Sequence, residues 1–488
     1  MYGELIKYVK DAGVLASVGE LLGWDYEVTM PRGASSLREM EMSLVASLRH
    51  KMLTDPRIGE LLAKIDAGSL SEPEQANVRE IRRNYDRALR IPVSLVEKSA
   101  SLSIRAHEAW QKARATNDFP LFLPFLEQFV EIKRAMALAI GGKEEPYQTL
   151  LSEYEPDIRL AELEVFFKEI ERSIVPLVEA IAKREVPDTG ILKRHVGISK
   201  QMKYNRGLAQ RLGYDFKKGR LDTAVHPFTG CFGRITTRFT DGWAGTISST
   251  VHESGHGMYE HNLPEEHFGT PLGSYRSLGV HESQSRLWEN HVGKSLAFWR
   301  GEYPRLRKAY APILDDLSPE AFYRLINVVA PGFIRVNADE LTYSLHIALR
   351  FEIEKALVCG SLRAKDVPEA WNEGMRRSLG IVPPSDALGC LQDSHWTDGS
   401  FGYFPTYTYG SAIAAQLMEA ATRSIPSLEN EIGSVEVAEL NVWLKENIHR
   451  HGCRYSTEEL VTRATGDVPN PRAYIDYLNR KFRALYSV

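Results

Sequence analysis

Cysteine is scarce. Four thiols, Cys231, Cys359, Cys390 and Cys453, are scattered through 488 residues, and none stands in a C-x-x-C pair. That spacing builds neither a disulfide framework nor a cysteine-ligated zinc knuckle, and so few thiols suit a reducing compartment. An excess of one charge is also missing: 60 basic side chains face 64 acidic ones, for a net charge of −4. No basic block breaks the balance, which speaks against a nucleic-acid partner. No apolar run reaches the length of a membrane span. The opening stretch, MYGELIKYVKDAGVLASVGELLGWD, carries charges throughout and lacks the apolar segment of a signal peptide. The expectation is a soluble, cytoplasmic protein without membrane contact.

What the chain does have is helical periodicity. Residues 36–53, 72–90, 121–142, 160–184 and 316–329 repeat apolar positions at three- and four-residue spacing, with charged residues between. Pro31-Arg32-Gly33, Gly141-Gly142, Pro187-Asp188-Thr189-Gly190 and Pro383-Pro384 mark turns. Ser318-Pro319-Glu320 and Ser456-Thr457-Glu458-Glu459 read as helix starts. Only residues 221–249 depart. They are rich in Thr, Phe, Ile and Gly and alternate from Arg234 to Phe239, which predicts one or two short strands. No repeat, low-complexity tract or linker divides the chain. The fold class is therefore mainly α with a small sheet. We expect one domain over residues 1–488, in which a helical half (1–220) covers a second half (221–488).

Directly after the strand segment comes His252-Glu253-Ser254-Gly255-His256. On a helix, residues four apart share a face, so both imidazoles can point at one metal ion. Glu253 can then reach a water on that metal, as in zinc peptidases. A purely structural alternative is local: Thr250 and Glu253 also fit capping-box spacing. A catalytic site needs a third protein ligand and an open position. Tyr259 and Asn262 stand where the extended HExxHxxGxxH pattern has Gly and His, so the ligand must come from elsewhere. Residues 280–300 predict the next helix. It offers Glu282 and Glu289, seven residues apart, with His281 and His291. Glu282, near the helix start, has the better position; Glu289 is otherwise a salt-bridged side chain. Zinc is the default for two His and a carboxylate, although cobalt or manganese suits the same donors.

With these motifs placed, the chain resembles the thermostable carboxypeptidase Taq family of zinc metallocarboxypeptidases. HESGH at 252–256 and HESQ at 281–284 match two of its motifs. Ile334-Arg335-Val336-Asn337-Ala338-Asp339 matches I/V-R-x-x-A-D, and Gly389–Trp396 matches G-x-x-Q-D-x-H-W. Gly402-Tyr403-Phe404-Pro405-Thr406-Tyr407 and Gly23-Trp24-Asp25 with Met30-Pro31 extend the likeness over nearly the whole chain. One motif departs: D-x-R-x-T ends at Arg234-Ile235-Thr236, with Phe232 in place of the Asp. The resemblance implies Glu282 as third zinc ligand and a neurolysin-like helical fold with a deep groove. It also implies a cytosolic homodimer that removes single C-terminal residues from peptides with broad preference and resists C-terminal Pro.

Under that reading Glu253 is the general base and then acid. A terminal carboxylate is recognised well by a guanidinium fork. Arg335 is the first candidate and Arg234 the second; the competing role for Arg335 is an ion pair with Asp339. His226, His395, Tyr403, Tyr407 and Tyr409 are candidates to donate to the oxyanion, with His395 and Tyr407 preferred. Gln392 and Asp393 are expected to orient zinc-bound imidazoles. Two alternatives remain: an endo-acting zinc oligopeptidase of the same fold, and a non-catalytic helical scaffold.

Overall fold

The computed structural model describes every residue except Asp241 and the side chain of Arg32. The periodic segments are helices: Ser35–Leu53, Glu72–Arg90, Phe119–Gly141, Leu160–Ile181 and Pro319–Ile326. Their ends have local causes. Ser71 and Glu74 form a reciprocal capping box at the start of Glu72–Arg90, and Ser456 with Glu459 does the same for Thr457–Thr465, each pairing main-chain donors that the first turn leaves open. Ser318 accepts from the Ala321 N–H and caps Pro319–Ile326.

One continuous apolar cluster runs from Leu102 to Phe482 and draws on residues both before and after position 220. The helix Tyr343–Cys359 contributes to it, with every residue from Tyr343 to Phe351 buried. A smaller cluster of Leu5, Val9, Ile58, Leu61, Leu62, Val78 and Ile81 ties the N-terminal helices together. Among the described residues, no helix is long and apolar enough to cross a membrane.

The segment with strand character forms three short strands rather than one or two: β1 (Leu221–Thr223), β2 (Thr229–Gly230) and β3 (Arg234–Thr237). They lie in the order β1-β3-β2, with β1 parallel and β2 antiparallel to β3. The sheet packs on the helix Trp243–His261, which carries HESGH. Thr250 lies inside that helix with its hydroxyl on the Thr246 carbonyl, so it caps nothing. The expected helix over 280–300 is broken. The chain forms Leu278–Arg286, a π-type turn at Leu287–Val292 and a new helix, Leu296–Tyr310, capped by Ser295. Tertiary donors take the carbonyls released there: Tyr477 donates to Asn290 O at 3.0 Å, and the Trp299 indole to Gly293 O at 2.7 Å. Periodicity cannot register such partners.

Candidate metal centre

His252 and His256 leave the buried Trp243–His261 helix one turn apart on one face. Opposite them runs the Leu278–Arg286 helix. Two glycines make the approach close. A Cβ on Gly255 would lie 2.6 Å from Gln284 O, and one on Gly410, in the helix Pro405–Ser424 behind, would lie 2.8 Å from the Glu282 Cβ. The Leu278–Arg286 helix is also fixed at its start, where the fully buried Glu155 carboxylate accepts from Gly279 N at 2.7 Å and the Ser277 hydroxyl from Val280 N. Glu282 is thereby delivered to the two imidazoles. Its Oε2 lies 3.6 Å from His252 Nε2 and 3.3 Å from His256 Nε2, and the three ligand atoms all lie within 4.8 Å of one another. Ligand atoms about 2.0–2.2 Å from a tetrahedral zinc are separated by roughly 3.3 Å, so this donor set fits the ion.

The charges fit as well. Burial, then the neighbouring His281, pushes His256 down to about 3, which leaves its nitrogen unprotonated and ready to ligate. Burial works against an ionised Glu282, but Arg286 and the imidazoles hold its carboxyl well below the usual range. Burial likewise opposes a charged His252, yet Glu282 and Glu289 together raise it; the same carboxylates that favour a proton there favour a divalent cation in its place. Glu253 is buried beside the ligands, and Thr229 of β2 donates to its Oε2 at 2.7 Å. Burial raises its carboxyl, partly offset by His252 and Thr229.

The other residues weighed for the third ligand take supporting places. Glu289 accepts from or pairs with His252 Nδ1 at 2.9 Å and is itself held by Ser248, Arg286 and Lys294. It therefore orients a ligand from behind, the place that Gln392 and Asp393 were expected to fill. His281 stacks on His256 at 4.4 Å and pairs with Glu260. His291, within the π-type turn, packs on Tyr477, 4.1 Å between ring centroids.

Gln392 and Asp393 serve Arg335 instead. Gln392 Oε1 accepts from Arg335 N at 2.7 Å, and Asp393 Oδ1 from Arg335 Nε and Nη2 at 3.1 and 2.8 Å. Asp339, the partner in the competing ion-pair reading, instead accepts from Leu341 N and Thr342 N in the turn before the next helix. The other oxygen of Asp393 holds Arg350, which is fully buried. Glu354, one turn further on, takes its hydrogen bonds from Tyr147, Trp396 and Gly402. Phe404 and Tyr407 lie under the Arg335 guanidinium, and the His395 ring stands 5.4 Å from Tyr403 and 6.5 Å from Tyr407. This group adjoins the ligands through Tyr343: its hydroxyl accepts from Arg335 Nη1 at 3.2 Å, and its ring lies 4.3 Å from the Arg286 guanidinium carbon.

Arg234 projects from β3 onto the face of Trp24 at 4.8 Å and pairs with no acid among the described residues. Tyr409 packs against Phe166, and His226 is exposed. Phe232 is half exposed, with a left-handed φ of 56°. Sequence reasoning passed over Thr229, Arg286, Tyr343 and Arg350. Arg286 had a readable signal, its four-residue spacing from Glu282; the others had none.

Two imidazoles and a carboxylate meeting inside an almost wholly helical body define a helical metallopeptidase. The profile of the family described as carboxypeptidase Taq (M32) metallopeptidase matches residues 4–482. Thermostable carboxypeptidase 1 of Thermus thermophilus is 40% identical over a 504-residue alignment that covers 99% of each chain. Carboxypeptidase 1 of Bacillus subtilis is 36% identical, covering 96% of this chain and 95% of its own. The crystal structure of the M32 carboxypeptidase from Deinococcus radiodurans superposes with a TM-score of 0.96 at 35% identity, covering 100% of this chain and 99% of that one. The chain belongs to the carboxypeptidase Taq (M32) metallopeptidase family and is a metallocarboxypeptidase, a peptide hydrolase.

Proposed function

We propose that the protein removes single C-terminal residues from peptides, with broad preference, using one zinc ion held by His252, His256 and Glu282. The convergence of both Nε2 atoms on one oxygen of Glu282 carries this reading. A bound zinc supplies Lewis acidity, lowering the pKa of a water and polarising the scissile carbonyl. Glu253 takes the proton of the attacking water and passes a proton to the leaving amine. The Thr229 hydroxyl keeps one oxygen of Glu253 in place while the other stays available.

Arg335 binds the terminal carboxylate. Two guanidiniums, Arg335 and Arg350, share the single carboxylate of Asp393, and a surplus positive charge in a buried, aromatic surrounding favours an incoming anion. Burial, opposed by Asp393, pushes His395 down to about 4. It is therefore neutral at physiological pH and, with Tyr407, donates to the oxyanion. Arg234, free of any acidic partner among the described residues, is the alternative clamp. Leu37, Met40, Leu44 and Leu48 form an exposed apolar stripe on Ser35–Leu53, a helix that buries no residue. That stripe supports a homodimer, and light scattering of Leu44→Glu tests it; the scarcity of thiols supports the cytoplasm.

The deciding experiment follows products from an unblocked peptide over time, with and without chelator. Sequential release of C-terminal amino acids that stops on chelation is expected. Cleavage of a doubly blocked peptide would instead indicate an endopeptidase, and Glu253→Gln with normal turnover and bound metal would remove the base assignment. Arg335→Ala should weaken free peptides far more than amidated ones; an equal loss on both transfers the clamp to Arg234.

A further inference from the structure

Arg286 touches two of the groups that build the metal site. Its Nε donates to Glu282 Oε1 at 2.6 Å, and its Nη1 to Glu289 Oε2 at 3.2 Å. The guanidinium is fixed from outside by the Tyr343 ring at 4.3 Å. Glu289 in turn holds His252 Nδ1. One planar fork therefore spans the third ligand and the residue that orients the first.

The lone pairs of Glu282 are divided as a result. Oε1 is held by a short, charge-assisted hydrogen bond from Arg286. Oε2 accepts from the Ser285 hydroxyl at 2.9 Å and faces both Nε2 atoms. A carboxylate with both oxygens open can close on a metal as a two-toothed ligand and occupy the position that a water needs. Here Arg286 engages Oε1, and Oε2 is the oxygen closest to both imidazoles.

We propose that Arg286 is a positioning residue that restricts Glu282 to one-oxygen ligation and so keeps a coordination position open. This rests on the metal-site reading above. Coulomb repulsion between Arg286 and a dication acts in the opposite direction on affinity, so affinity alone cannot test the idea; coordination can. Cobalt(II) serves as the probe, because four-coordinate cobalt absorbs visible light more strongly than five-coordinate cobalt.

Two variants separate charge from hydrogen bonding. Arg286→Gln places an amide nitrogen near the former Nε, keeping the donor to Oε1 without the charge. Arg286→Met removes both at similar length. In cobalt-loaded protein checked for folding by near-ultraviolet circular dichroism, R286Q should keep the wild-type band. R286M should lose roughly half its intensity or more as the coordination number rises. Glu289→Gln, which leaves the Arg286–Glu282 contact intact, should keep the band while weakening cobalt binding roughly 10–100-fold. A wild-type band in folded R286M, or a lost band in R286Q or E289Q, overturns the proposal. If R286M does not fold, Arg286→Leu, which also removes the donor to Oε1, takes its place: a lost band supports the proposal and a wild-type band sinks it. A wild-type protein that binds no cobalt would instead overturn the metal-site reading itself.

Discussion

Gly255, inside HESGH, has no catalytic atom, yet its replacement by alanine should disable the metal site. The new Cβ would stand 2.6 Å from Gln284 O and 2.8 Å from Ser285 Cα. Both are main-chain atoms of the helix that carries Glu282, so no side chain can swing aside. To restore ordinary contact the two helices must part by about 0.8 Å, beyond the roughly 0.5 Å within which a ligand set holds its geometry. Crowding costs about 1–3 kcal/mol, while alanine in place of glycine inside a helix returns about 1 kcal/mol. Global stability should therefore fall little, and the loss should concentrate in metal binding, by ~10-fold or more. Chelator competition measures the affinity, and urea denaturation with and without metal measures the linked stabilisation. Gly245→Ala is the control: it lies on the same helix with nothing within 4 Å of its Cβ, and should gain up to ~1 kcal/mol with unchanged metal affinity. Wild-type affinity in G255A would refute close helix approach as the basis of the site.

Asp393→Asn should cost about 3–5 kcal/mol in urea denaturation, because two buried guanidiniums lose their counter-charge; near-wild-type stability would show that Asp393 is not what neutralises Arg350. Buried imidazoles should make the metal-free protein acid-sensitive. Burial leads in pushing His291 and His395 down to about 4 and His346 and His449 down to about 3. Each depressed group adds stability above the unfolded value near 6.5 and loses it as pH falls toward its folded value, at up to ~1.4 kcal/mol per pH unit. Burial raises Glu155 and Glu354 to about 7, which acts with the opposite sign between about 4.5 and 7. Comparison of His449→Gln with the wild type at pH 7 and pH 5 isolates one imidazole; an equal pH loss in both would contradict its buried neutral state. Phe232→Asn should relieve the left-handed backbone, giving a stability gain of at most ~1 kcal/mol after loss of the Phe232–Phe268 contact; denaturant midpoints measure it, and a fall would show the aromatic contact to be the larger contribution.

What the sequence by itself determined was whatever depends on short spacing. The helices around Ser35–Leu53 and Glu72–Arg90, the caps at Ser71 and Ser456, and the pairing of His252 with His256 are all set by neighbours within one turn. Glu282 was legible because it stands near a helix start, and the motif order identified the family. Tertiary structure decided the rest. The π-type turn after Arg286 depends on Tyr477 from the last helix. The orientation of His252 by Glu289 depends on how two helices meet. The pairing of Arg335 with Asp393 spans 58 residues, although a carboxylate one turn away offered a nearer partner. Sequence records which groups can interact, but the partner of a buried charge is chosen by the packing that removes water from around it, and that packing exists only once the distant helices are in place.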